Sequence, residues 1–135
     1  MKISDGVKVN KILFLAVIAA DQLGKFFIRA NPALDIKIIQ NSGLPFGLNL
    51  PGVFNLAAVV ALLAWFIFFY FQYLETARTV NAFTLIVAGA SSNIFDRLYF
   101  GSVTDFINLG ITTTNFADVA IIIGIALLLV KITNY

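Results

Sequence analysis

From Val53 to Tyr73 the chain runs without one charged side chain, and no other stretch constrains its fold so tightly. A helix needs about 20 consecutive apolar residues to cross the hydrocarbon core of a bilayer, and this run meets that need. Three further segments approach it, from about Lys11 to Ile28, Val80 to Phe95 and Phe116 to Val130. The composition agrees with lipid as the solvent. Of 135 residues, 60% are hydrophobic and 12% charged, where a soluble domain carries roughly 45–50% and about 25%. The reading is an all-α membrane protein of four transmembrane helices, one domain over residues 1–135.

The basic residues orient the bundle, because Lys and Arg favour cytoplasmic connections. With the N-terminus inside, Lys2, Lys8, Lys11, Arg78 and Lys131 are cytoplasmic, and only Arg29 and Lys37 lie in outer loops. Both termini are therefore placed in the cytoplasm. The basic start followed by Ile12 to Ala20 also has the look of a cleaved signal peptide. The apolar run continues through Gly24 to Ile28, however, and is read as a retained helix.

The first outer connection, from Arg29 to Gly52, is too long for an idle loop. Its stretch from Asp35 to Asn41 is partly alternating and β-branched, and Gly43, Pro45, Gly47 and Pro51 follow. A short β-hairpin or small sheet is expected over about residues 33–52, lying at the outer membrane surface.

What the chain lacks narrows its chemistry. It has no His and no Cys, which removes Ser-His-Asp and Cys-His nucleophiles, HExxH sites, Cys/His zinc centres and disulfides. A net charge of +2 is too small to argue for nucleic acid. Ionisable groups at membrane depth cost about 2.5–3.5 kcal/mol on insertion scales, so each is a candidate for function. Here they are Asp21, Lys25, Asp96, Arg97, Asp105 and Asp118.

Asp21 and Lys25 are four apart and share a helix face, as an internal ion pair would. Asp96 and Arg97 are adjacent and point apart, while Arg97 shares a face with Asn93 and Gly89. Asp105 falls in the second outer connection, and Asp118 about one turn inside the fourth helix. The segment between them can fold back and bring the two carboxylates together. Two converging carboxylates resist simultaneous ionisation and hold one proton between them. One can then take a proton from water while the other gives one to a carbonyl, which is aspartic-protease chemistry. The alternative is that Asp118 polarises the start of its helix and Asp105 is a plain loop carboxylate.

Two other classes remain open at this point. A small four-helix proton-coupled transporter would use buried acids as relays near mid-membrane. An assembly subunit would use Gly43, Gly89 and Gly124 for packing.

Four blocks of the sequence resemble the lipoprotein signal peptidases, also called signal peptidase II. They are Asp21-Gln22-Leu23-Gly24-Lys25, Asn41 to Gly47, Ala88 to Arg97 running on to Val103-Thr104-Asp105-Phe106, and Asn115-Phe116-Ala117-Asp118. The resemblance implies an aspartic endopeptidase of the bacterial inner membrane, acting at its outer face on diacylglyceryl-modified prolipoproteins amid membrane lipids, with no cofactor and no metal. It implies Asp105 and Asp118 as catalytic acids. Asn93, Arg97 and Asn115 would support substrate and dyad, Asn41 would belong to the outer lip, and Asp21 with Lys25 would form a structural or substrate-facing pair. Asp96 would be accessory. Ala88 and Ser92 stand where the family usually carries glycine, from which looser helix packing is expected.

Overall fold

The computed structural model describes residues 9–43, 53–74, 76 and 79–133. Lys2, Lys8, Arg78 and residues 44–52 of the outer segment lie outside that description. Four helices, α1 (Lys11–Ala30), α2 (Val53–Phe69), α3 (Val80–Phe100) and α4 (Phe116–Thr133), carry four short strands: β1 (Ile39–Asn41), β2 (Val103–Asp105), β3 (Ile107–Asn108) and β4 (Thr113–Thr114).

The ends of the helices follow from local chemistry. Asn10 starts α1 by accepting from the Leu13 N–H at 3.1 Å, the usual work of an Asn N-cap. A π-helical turn, Tyr70–Leu74, extends α2. α3 stops at Gly101, whose φ of +77° lets its N–H return to the Arg97 carbonyl, a left-handed cap that glycine adopts without strain.

α1 runs two residues past its expected end, α4 three, and α3 five, to Phe100. Arg29, expected in an outer loop, thus lies in the last turn of α1, and Asp96 and Arg97 lie inside α3, Arg97 in its last turn. The sequence reading stopped at charge, but a charge paired in the bundle interior does not end a helix.

The expected β element is a small sheet whose second strand comes from far along the chain. β1 pairs antiparallel with β2, setting Ile39 opposite Asp105, Gln40 opposite Thr104 and Asn41 opposite Val103. β3 and β4 form a hairpin inside the second connection, turning at Gly110 with φ +86°.

Contacts set the directions of the helices. The Asn10 N–H donates to Thr84 Oγ1 at 3.1 Å and its amide to Asn81 Oδ1 at 3.2 Å, so α1 and α3 start at the same end. Phe66 and Tyr70 near the close of α2 stack on Phe83, with centroids 5.9 and 4.0 Å away. α4 returns along α3, Gly124 against Ile86 and Gly89 against Ala117.

The packing of α3 on α4 is close, against the looser fit expected. Ala88 and Ser92 are both buried, and a Cβ added at Gly89 would press into the Ala117 carbonyl, which is backbone and cannot swing aside. Glycine to alanine within a helix ordinarily gains about 1 kcal/mol. Here overpacking reverses the sign, and Gly89→Ala is expected to lower stability by about 1–3 kcal/mol, read as a reduced melting temperature in detergent.

Burial is inverted relative to a soluble domain. Among the described residues, fully buried positions include more polar side chains than hydrophobic ones, whereas Leu62, Trp65, Phe68, Ile122 and Leu129 are exposed. Two helical segments are long and apolar enough to cross a membrane, Val53–Leu74 and Phe116–Thr133, each with mean hydropathy 2.3. α1 and α3 have 20 and 21 residues, about 30 Å at 1.5 Å per residue, and carry the polar interior between them.

Candidate active site

The polar interior begins on one face of α1. Lys25 Nζ lies 2.6 Å from Asp21 Oδ2 and 2.7 Å from Asp96 Oδ2, and donates to Asn93 Oδ1 at 3.2 Å. The ammonium donates to Asp21 and Asn93 and pairs with Asp96 by charge. The side chains of Asp21, Lys25 and Asp96 have no solvent exposure.

Asp21 also reaches the other helices. Its Oδ1 accepts from the Ala117 N–H at 2.9 Å, one of the donors a helix start leaves unpaired, and its Oδ2 accepts from the Ser92 hydroxyl at 2.7 Å. The Gln22 amide donates to Ser92 Oγ at 2.8 Å and to Asp96 Oδ1 at 2.9 Å. The ion cluster therefore joins α1, α3 and α4, and the internal pair expected from the four-residue spacing is present with Asp96 as a third member.

Asn93 connects this cluster to the candidate acids. Lys25 holds its oxygen, which leaves its amide nitrogen to donate to Asp118 Oδ1 at 2.7 Å. Asp118 Oδ2 accepts from the Thr114 hydroxyl at 2.9 Å. Asn115 then spans the two acids: its Oδ1 accepts from the Asp118 N–H at 2.9 Å, capping α4, and its Nδ2 donates to Asp105 Oδ1 at 2.6 Å. One side chain thus links the Asp105 carboxylate to the backbone of Asp118.

Asp105 is buried on β2. Burial raises its pKa above the ordinary carboxylate value, and the negative charge of Asp118 adds to the rise, against the hydrogen bonds from Asn115 and Asn41 and the charge of Lys25. The Asn41 amide donates to Asp105 Oδ2 at a long 3.4 Å, and its oxygen accepts from the Gly43 N–H at 3.0 Å. Arg97 grips the same corner, donating to the Gly43 carbonyl at 3.1 Å, while Asn55 donates to the Ser42 carbonyl at 2.8 Å. An open cavity of about 360 Å³, lined by Lys37, Ile39, Asn41, Asn108 and the β3–β4 turn, reaches Asp105.

The residues singled out in the sequence, Asp21, Lys25, Asn41, Asn93, Asp96, Arg97, Asp105, Asn115 and Asp118, all fall in this one connected network. Sequence reasoning passed over Gln22, Arg29, Ser92, Thr104 and Thr114 as participants. Arg29 continues the four-residue spacing of Asp21 and Lys25, and Thr114 lies four before Asp118, so spacing could have found both. Thr104 carried no such signal.

With apolar residues outside, polar ones inside and two aspartates linked through Asn115 at one end, one by its carboxylate and the other by its backbone N–H, the chain has the layout of a helical membrane protein with an interior polar site. Comparison with known proteins takes this further. The sequence model of the family described as signal peptidase (SPase) II matches residues 13–134. A lipoprotein signal peptidase of Moorella thermoacetica is 34% identical over 131 residues, covering 87% of this chain and 87% of the relative. One from Aquifex aeolicus is 36% identical over 124 residues, covering 83% and 73%. Two solved structures, both described as bacterial membrane enzymes, share the fold. They superpose with TM-scores of 0.75 and 0.73 at 21% identity, over 97% and 96% of this chain and 93% and 97% of theirs. The chain belongs to the signal peptidase II family. That makes it a peptidase, and the transporter reading finds no support in any of these matches.

Proposed function

We propose that the chain is an intramembrane aspartic endopeptidase that removes the signal peptide from lipid-modified prolipoproteins, cutting N-terminal to the diacylglyceryl cysteine. The relatives' activity supports the substrate class. The observation that carries the chemistry is the Asn115 side chain, which accepts from the Asp118 backbone N–H and donates to the Asp105 carboxylate, so that both acids are held at one place. In this reading Asp118, which accepts from Asn93 and Thr114, is the ionised base and takes a proton from water. Asp105 holds the proton of the pair and gives it to the scissile carbonyl oxygen as water attacks. The two exchange roles when the tetrahedral intermediate collapses and the amine leaves. Arg97 Nε is buried without an acceptor and is a donor available to the substrate backbone, with Asn41 at the lip. Asp21 and Lys25 hold the framework.

All four helices span the bacterial inner membrane in this reading, with both termini cytoplasmic and the strand-bearing end outside. The lengths of α1 and α3 and the distribution of Lys and Arg support it.

The experiment is to incubate purified protein in micelles with a diacylglyceryl-modified prolipoprotein and its unlipidated form. Release of the signal peptide from the lipidated precursor alone is expected, and no release from either sinks the reading. The pH profile carries a sign. Asp105, raised above the usual carboxylate value of about 3.9, loses its proton as pH rises through its own pKa, and the general acid goes with it. On the acid side the base becomes protonated. kcat is therefore expected to follow a bell, with its alkaline limb displaced above the ordinary carboxylate range.

A further inference from the structure

Arg29, in the last turn of α1, donates from Nε and Nη2 to Thr104 Oγ1 at 3.1 and 2.6 Å. Its guanidinium lies 4.1 Å from the Phe100 ring centroid, a stacked cation–π seat, and 4.0 Å from Asp96 Oδ2. Arg29 is thereby fixed to α3 while it grips β2. Thr104 is fully buried, and its hydroxyl donates onward to Gln40 Oε1 at 3.3 Å. A hydroxyl has one proton and two lone pairs, so this one is fully engaged.

Thr104 precedes Asp105 on β2, and successive side chains of a strand point to opposite faces. A hold on Thr104 from the α1 side therefore turns Asp105 toward Asn115 and Asp118. The strand needs that hold. It is three residues long and pairs with another of three, and so short a pair is weakly stable by itself. A slip of one residue would present Thr104 where Asp105 now stands.

We propose that Arg29 is a positioning residue for the peptidase, fixing the facing of Asp105 through its grip on Thr104. The proposal rests on the reading of Asp105 as one of the two catalytic acids.

The test uses Arg29→Met, Arg29→Lys, Thr104→Val, Thr104→Ser and the double variant Arg29→Met/Thr104→Val, each in the full chain in micelles. kcat and KM are measured on the lipidated precursor, and the Asp105 carboxyl is titrated by carbon-13 NMR without substrate. Misplacement of a reacting group by about 1 Å costs up to about 100-fold. Arg29→Met and Thr104→Val are expected to lower kcat about 10- to 100-fold with KM within about 2-fold. Arg29→Lys, which lacks the planar fork, falls with them, and Thr104→Ser, which keeps the hydroxyl, retains wild-type kcat. The double variant is no slower than the slower single, as coupled sites behave. The Asp105 titration in Arg29→Met and Thr104→Val moves down toward the ordinary range as water reaches the freed strand.

Unchanged kcat, an unchanged titration, a Thr104→Ser variant as slow as Thr104→Val, or additive losses in the double variant overturns the proposal. If Arg29→Met does not fold, the near-isosteric Thr104 pair decides. If the wild type cuts nothing, the peptidase reading has failed, and the substrate-free titration still decides whether Arg29 sets the environment of Asp105.

Discussion

Asp105→Asn and Asp118→Asn are each expected to reduce cleavage of the lipidated precursor by about 10⁴-fold, the upper range for loss of a general acid or base. The double variant is expected to be no slower than either single, because groups that act as one unit lose their joint contribution at the first removal. The two replacements differ in how the fold receives them. Both oxygens of Asp105 accept from amide nitrogens, and those of Asp118 from an amide and a hydroxyl. An asparagine at either site therefore brings its own amide group against one existing donor. At Asp118 that donor can be Thr114, whose hydroxyl can rotate to accept. At Asp105 both donors are amides, so the greater loss of stability is expected there. Retention of cleavage by either folded variant would falsify the aspartic mechanism and leave the family assignment in place.

Lys25→Met is the second change of large expected effect. The replacement leaves Asp21 and Asp96 buried with no ammonium between them, and an uncompensated buried charge costs about 3–5 kcal/mol. It also releases the Asn93 oxygen, so the amide that donates to Asp118 is no longer held in one orientation. Unfolding in mixed micelles should show the first effect and a fall in kcat the second. Replacing the cluster together, with Asp21→Asn, Lys25→Met and Asp96→Asn, is expected to recover much of the stability, because no charge is then left unpaired, but little of the activity. If Lys25→Met melted with the wild type, the buried pairs would not hold the helices together.

The helices were legible where lipid alone determines them. Val53 to Phe69 carries no charge, and Asn55 is its one strongly polar side chain. α3 was cut five residues short because Asp96 and Arg97 look like a membrane boundary when their partners are unknown. Those partners, Lys25 and Gln22 on α1 and the Gly43 carbonyl, are distant in sequence, and no local pattern announces them. The same holds for β1, whose partner strand lies beyond two helices. The ionisable members of the candidate site stood out in the sequence because each is an expensive residue in a lipid setting, whereas Ser92, Thr104 and Thr114 carry no such cost. What spacing could not supply was the order of connection, from Lys25 through Asn93 to Asp118 and through Asn115 to Asp105.

The network holds four aspartates, Asp21, Asp96, Asp105 and Asp118, against three cations, Lys25, Arg29 and Arg97. With every group ionised, the polar interior would carry one net negative charge inside low-dielectric surroundings. A single proton on the Asp105–Asp118 pair makes the assembly electrically neutral. In the proposed mechanism, the hydrogen that the pair would use on the scissile bond would therefore also balance the charge of the polar interior.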